Sequence, residues 1–350
     1  MKLATQSLCT VFAMAMGTSA PAWAVVWNVN PQGTGDAPTI QAAYDAASAG
    51  DLIVLAPGVY IDSNTRVIHG YGPSEFPSTT ATAFMKAGVD LESSGGAEAT
   101  IIDGQSARHG LIGPDVTPAS VRGITFLHCF TAGTFGGTEI WGGGVLVYRS
   151  AVTIEDCRFV ECFGLGGAGG GGVFLSQGSG SALRGNLFLR CSTGDLGGGV
   201  EIFQHSGVVV ENNTFVDNST TRHGGGILFN LSNGTLDNNI FAANTANLSG
   251  GGVGCLNQND ISGSCNIFWE NDAPVDDHVT ACFVPIGEND NVVTDPLFCD
   301  AADDNYTIDA FSPASPDNPN GCGLVGAYGV GCGPVAVESK SWGVIKSLYR

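Results

Sequence analysis

The sequence predicts an all-β solenoid of stacked parallel strands, closed at its start by a short helix. Three observations carry this. The motif Phe-x-x-(Cys or Asn) occurs six times, at Phe126, Phe159, Phe188, Phe215, Phe241 and Phe268, with gaps of 33, 29, 27, 26 and 27 residues. Five copies are followed by a glycine run (Gly142–Gly144, Gly170–Gly172, Gly197–Gly199, Gly224–Gly226, Gly250–Gly252) and then by a short alternating apolar strand. A helical pattern and one buried-type strand precede the repeats. A fixed period in the twenties marks a repeat architecture, in which each unit buries its apolar face only against its neighbours.

The elements follow in order. Residues 1–24 read as an export signal: Lys2, a short apolar core over Leu8–Met16, and Ala22-Trp23-Ala24 as the cleavage pattern. That core is too short to span a bilayer, and no later stretch reaches the roughly 18 apolar residues a membrane helix needs. Residues 36–60 form the expected cap. Ile40, Ala43, Tyr44 and Ala47 share one helical face, Thr39 stands at the N-cap, and Gly50-Asp51 ends the helix before the strand Leu52–Ala56. Such a cap is needed because an open solenoid end exposes apolar side chains and unpaired strand groups. Ile61–Gly88 lacks a period and reads as an insertion. Regular coils run from Val116 to Asn271. The Pro- and Cys-rich segment 272–332 is expected to close the far end, leaving a tail at 333–350 with Trp342, Ile345 and Leu348 on one possible helical face.

Aligning the coils on the phenylalanine assigns each column a job. Two residues before it stand Asn186, Asn213, Asn239 and Asn266, and three after it Asn218, Asn244 and Asn271. Coils stack about 4.8 Å apart, so both columns predict ladders of hydrogen-bonded amides. Cys129, Cys162 and Cys191 fill the second column in earlier coils and read as small core residues before disulfides; Cys322 and Cys332 are better disulfide candidates. Arg122, Glu155, Arg184, Glu211 and Asp237 form one charged column, and His128, Glu161, Arg190 and Asp217 another. Their signs, which largely alternate from coil to coil, predict pairing that specifies register more than it stabilises. After each glycine run, Val145, Val173, Val200, Ile227 and Val253 point inward, while Leu146, Phe174, Glu201 and Leu228, then Tyr148, Ser176, Phe203 and Asn230, point out. That outer strip is unusually apolar for a solvent face.

The formal net charge is −20, or −21 once Lys2 leaves with the signal. This argues against nucleic acid, anionic membranes and polyanions as direct partners. Calcium is the one cofactor such a surface invites, as a bridge to an acidic glycan. Removing Cys9 leaves ten cysteines, an even number that an oxidising compartment permits to pair.

Two stretches resemble known families. Thr39–Tyr60, TIQAAYDAASAGDLIVLAPGVY, is similar to the entry cap of the pectin-lyase-like right-handed parallel β-helices. The FxxN and GGG[VI] repeats are similar to the FxxN and GGA[ILV] repeats of the polymorphic outer-membrane protein family. The ending VTDPLFCDAADDNYTIDAFSPAS…GLVGAYG also resembles the closing segment of exported bacterial β-helix proteins. The resemblance implies a single-stranded right-handed parallel β-helix over residues 25–332. It narrows activity little, since this fold hosts lyases, hydrolases, epimerases and adhesin-like surface rods.

Lyases of that kind use clustered acids holding calcium with an Arg or Lys base, and no three acids here occupy consecutive copies of one column. The candidate catalytic group is Asp195, Arg222 and His223 in the turn before the glycine run, with Glu201 on the following strand. Trp141, Phe174 and Phe203 are the candidate sugar-stacking rings. Asp300, Asp303 and Asp304, with Asp290 and Asp295, are the calcium candidates. The expected protein is secreted, at the cell surface or periplasmic, monomeric, and more a binder of polysaccharide or matrix than an enzyme; the alternative is a polysaccharide lyase or glycoside hydrolase.

Overall fold

The computed structural model describes residues 24–68, 76–130, 134–135, 138–139, 142–165, 169–257, 260–280 and 286–333. Residues 1–23 of the expected export signal, Trp141 and the tail beyond Gly333 lie outside them. The chain winds as a right-handed parallel β-helix. Each regular coil gives one strand to each of three sheets. The first has nine strands, from Val26–Val29 to Asp260–Ser262. The second also has nine, from Gly58–Tyr60 to Val292–Val293, and the third has eight. A four-stranded ladder of two-residue strands, from Phe163–Gly164 to Thr245–Ala246, precedes the glycine runs.

The repeat columns become physical stacks. The six repeat phenylalanines pair in register, and their rings stack with centroids 4.6–5.3 Å apart and planes within 10°. Each such contact adds about 0.5–1.5 kcal/mol beyond burial. Asn186, Asn213, Asn239 and Asn266 each donate Nδ2 to the next Oδ1 at 2.8–3.0 Å, and the ladder ends on Asn291 from the last partial coil. The second ladder, Asn218, Asn244 and Asn271, closes at 2.9 Å per step. Each of these Oδ1 atoms also accepts the preceding coil's backbone N–H, which satisfies those donors within the corner. Cys129, Cys162 and Cys191 continue the second column as buried free thiols, with Cys157 in the first.

Tight corners demand left-handed backbone. His128, Glu161, Arg190, Asp217, Ala243 and Glu270 all have φ between 46° and 54°. This costs each residue about 1–2 kcal/mol, a cost the stacked hydrogen bonds must offset. In the glycine runs the constraint is space: a side chain at Gly198 would come within 2.2 Å of the Gly225 carbonyl on the next coil.

The cap matches its sequence pattern. The helix spans Ile40–Ala46, Thr39 Oγ1 accepts the Ala42 N–H at 3.0 Å, and Ile40, Ala43, Tyr44 and Ala47 are buried. The insertion is not structureless. Asn64–Ile68 and Phe76–Phe84 pair antiparallel, and the second arm joins the edge of the third sheet beside His109–Pro114. Its Thr-rich alternation hides the strand from an apolar-period search.

The closing segment departs most from expectation. Residues 272–280 and 286–293 complete a last partial coil. Residues 295–332 then fold back along the outer face of the second sheet instead of covering the end. Tyr306, Ile308, Ala314 and Val325 pack there against Leu187, Leu189, Val216, Ile240, Ala242 and Ile267. Asn212 and Asn238 donate to the Leu324 and Cys322 carbonyls, and Arg190 holds Asp304 through both oxygens at 2.7 and 2.8 Å. The disulfides Cys265–Cys322 and Cys299–Cys332 fasten this strap, and Cys255 is also disulfide-bonded. Among the described residues no helix is long and apolar enough to cross a membrane.

Candidate functional site

The turn before the glycine run brings the proposed catalytic group together. Leu196, His223, Ser249 and Val275 bridge from coil to coil, so the turns stack as a ridge beside the third sheet. Arg222 Nη1 lies 2.9 Å from Asp195 Oδ1. His223 Nδ1 lies 2.7 Å from Ser249 Oγ, and burial, then the Arg222 charge, holds its pKa below the ordinary histidine value. His223 is therefore neutral at pH 7.

Glu201 behaves differently. It points away from the barrel interior yet is fully buried, between Phe174 and Leu228 in its column. The glycine bend lies against it: a side chain at Gly197 would come within 2.9 Å of the Glu201 Cβ. Its Oε2 accepts the Gly169 N–H, and its Oε1 accepts from Asn230 Nδ2 at 3.4 Å, which in turn accepts Asn257 Nδ2 at 2.7 Å on its own Oδ1. Burial pushes the carboxyl pKa up to about 7, opposed by those hydrogen bonds and assisted by the Asp195 charge. A carboxyl titrating near neutrality has the proton affinity of a general acid. Sealed in this way, it cannot reach a glycosidic oxygen.

The stacking rings fare unequally. Phe174 is wholly buried with Ile112, Leu146 and Phe84, so it offers no face to a sugar; Phe203 is partly exposed at the margin of the same cluster. Trp141 lies outside the described residues. His205 turns inward, where its Nε2 meets Ser181 Oγ at 3.0 Å and the Ser150 carbonyl at 3.2 Å.

The acidic turn does not gather into a cation site. Asp304 is committed to Arg190, which holds its carboxyl below the usual range, while Asp300 and Asp303 are exposed. Among the described residues no three of the proposed acids bring ligand oxygens together; the single such group, Cys265, Asp290 and Cys322, contains a disulfide.

The fold-back creates a site the sequence reading missed. Between the second sheet and the strap lies a cleft of about 600 Å³, within the size range of ligand pockets. Val216, Ala242 and Trp269 form its floor, with Phe298, Tyr306 and Phe311 on the strap side. Phe298 and Tyr306 meet edge-to-face at 5.2 Å, and Phe311 is 74% exposed. Four carboxylates line it: Asp217, Glu270, Asp295 and Asp309. Asp295 and Asp309 each spend one oxygen on a backbone N–H two residues on, at 2.8 Å. Asp217 is raised in pKa by burial, against the lowering pull of Arg190. The sequence held one hint: Trp269 is the sole aromatic residue directly after a repeat phenylalanine.

Residues 115–291 match the family model described as a right-handed β-helix region. No curated protein matches the chain. Among solved structures it is similar to the crystal structure of pectate lyase Pel9A, with a TM-score of 0.41 and 15% identity over 87% of this chain and 96% of that one. It is also similar to the A-module of Azotobacter vinelandii mannuronan C-5 epimerase AlgE4, with a TM-score of 0.26 and 13% identity over 73% of this chain and 88% of the other.

Proposed function

This chain belongs to the right-handed β-helix family, and from that premise we propose that it is an exported, non-catalytic saccharide-binding protein. The observation that carries the reading is the cleft under the strap, where exposed Phe311 and half-buried Trp269 stand beside carboxylates. Ring faces stack on sugar C–H surfaces while carboxylates accept hydroxyl hydrogens, the combination saccharide recognition requires. The groups best suited to catalysis support a structural role instead. Asp195 is ion-paired, His223 is neutral and hydrogen-bonded, and Glu201 is sealed. Disulfides that pin the strap fit an oxidising compartment.

The test incubates the folded protein with neutral, acidic and amino polysaccharides, with and without calcium. Binding is followed by calorimetry, and unsaturated products and new reducing ends are followed in parallel. Binding without product is expected. Product formation abolished by Asp195→Asn or Glu201→Gln on a folded background would replace this reading with a lyase or hydrolase working at the third sheet. Acidic-glycan binding that requires calcium would assign the cation a bridging role.

A further inference from the structure

The cleft's charge narrows its ligand. Among the described residues none of its lining side chains is basic, while four are carboxylates. Arg190, the cation that acts on Asp217, is spent on Asp304 and Glu161 at 2.7 and 3.2 Å. Asp217 and Glu270 take up the left-handed corners of two coils that Ala243 separates, and neither accepts a hydrogen bond within the described residues. Two solvent-exposed carboxylates, neither held by a protein donor among the described residues, thus border a hollow floored by Trp269. A uronate polymer entering it would set like charge against like in a partly desolvated cleft, which costs affinity. A neutral sugar would leave the carboxylates solvated only in part. A protonated amino sugar satisfies both features: its ring stacks on Trp269 or Phe311, and its ammonium pairs with the acids and lies near aromatic faces.

Resting on the saccharide-binding reading, we infer that this cleft is a subsite for a cationic amino-glycan, with Asp217 and Glu270 as the ammonium-recognising residues and Trp269 and Phe311 as stacking platforms. The second sheet supplies a rigid floor, and the strap supplies the opposing wall. Acid-lined aromatic clefts also accept basic peptides, and the test separates the two.

The full folded protein is titrated with a β-1,4-linked glucosamine hexamer, its fully N-acetylated counterpart, an oligogalacturonate and a lysine-rich decapeptide. The glucosamine hexamer is expected to bind best, with affinity falling as salt rises. Glu270→Gln and Asp217→Asn should each weaken it about tenfold, the loss of one charge-assisted hydrogen bond, and leave the N-acetylated hexamer unchanged. Phe311→Ala should weaken both. Equal binding of the two hexamers, each lowered by Phe311→Ala, would overturn the charge selection while keeping the saccharide reading. A decapeptide that binds as tightly as the glucosamine hexamer and displaces it would overturn the amino-glycan assignment. Absence of any saccharide binding would remove both readings.

Discussion

The buried carboxyl of Glu201 is the residue whose physics departs furthest from its type. Folding takes it from water into a column of Phe174 and Leu228, and two hydrogen bonds only partly compensate. Its folded pKa of about 7 lies above the unfolded value near 4.3. The proton is therefore held more tightly by the native state, so Glu201 contributes stability below about pH 4.3 that is lost as pH rises through 7. The loss is on the order of 3 kcal/mol. Glu201→Gln keeps the shape and the acceptor oxygen without the charge. Urea midpoints measured from pH 4 to 9 should fall with rising pH for the native chain and stay flatter for the variant, with the variant more stable at pH 8. Parallel curves would mean that the carboxyl is hydrated, and the sealed-site account would fail.

At the scale of elements, the coil corner is the unit that specifies the fold. Each ladder asparagine accepts the preceding coil's N–H and donates to the next amide and to a carbonyl on the neighbouring strand, as Asn213 does toward Leu183 and Asn239. Asn213→Ala leaves the Asn186 backbone N–H without its acceptor in a dry corner, and leaves the Asn186 amide only its bond to the Ile154 carbonyl, so a loss of about 2–4 kcal/mol is expected. Asn233→Ala, at an exposed position near the corner between the third and first sheets, is the control. Equal urea midpoints for the two variants would show that the ladder is ornamental. These corners were legible in sequence because one residue type serves one column at a fixed spacing; Thr39, the glycine runs and the charge pairs Glu155–Arg184–Glu211 and His128–Glu161–Arg190 were legible for the same reason. Arg122 is an exception within its column: it reaches Asp156 at 3.0 Å instead of Glu155. What periodicity cannot say is whether an outward column is covered. Phe174 looked like a sugar platform because alternation gives its side of the strand, while its burial depends on packing around Phe84 from the insertion arm. The cleft was hidden likewise, because its wall comes from aperiodic chain roughly 30–90 residues away in sequence from its floor.

The whole molecule divides into a repetitive body and a strap whose attachments differ in kind. The body is held coil to coil by ladders along its length, so disturbing one contact leaves its neighbours in place. The strap is held by one apolar patch, the Arg190–Asp304 pair, a few amide–carbonyl bonds and two disulfides. Of the two disulfides described, Cys265–Cys322 is the one that ties the strap to the coils, across a sequence separation of 57 residues. In the chain-entropy account a bond closing a loop of that length is worth about 4 kcal/mol. The double variant Cys265→Ser/Cys322→Ser should therefore open the strap as a local unit without unfolding the body. Limited proteolysis is expected to cut within 295–332, and glucosamine-hexamer binding to fall with the loss of the Phe311 wall. The four thiols Cys129, Cys157, Cys162 and Cys191 report on the body in the same sample. All are buried, and burial raises the pKa of Cys157, Cys162 and Cys191, so they should resist alkylation before and after the strap is released. Alkylation of these thiols at the same rate as strap cleavage would show that body and strap unfold together, and that the cleft belongs to the cooperative core instead of a separable wall.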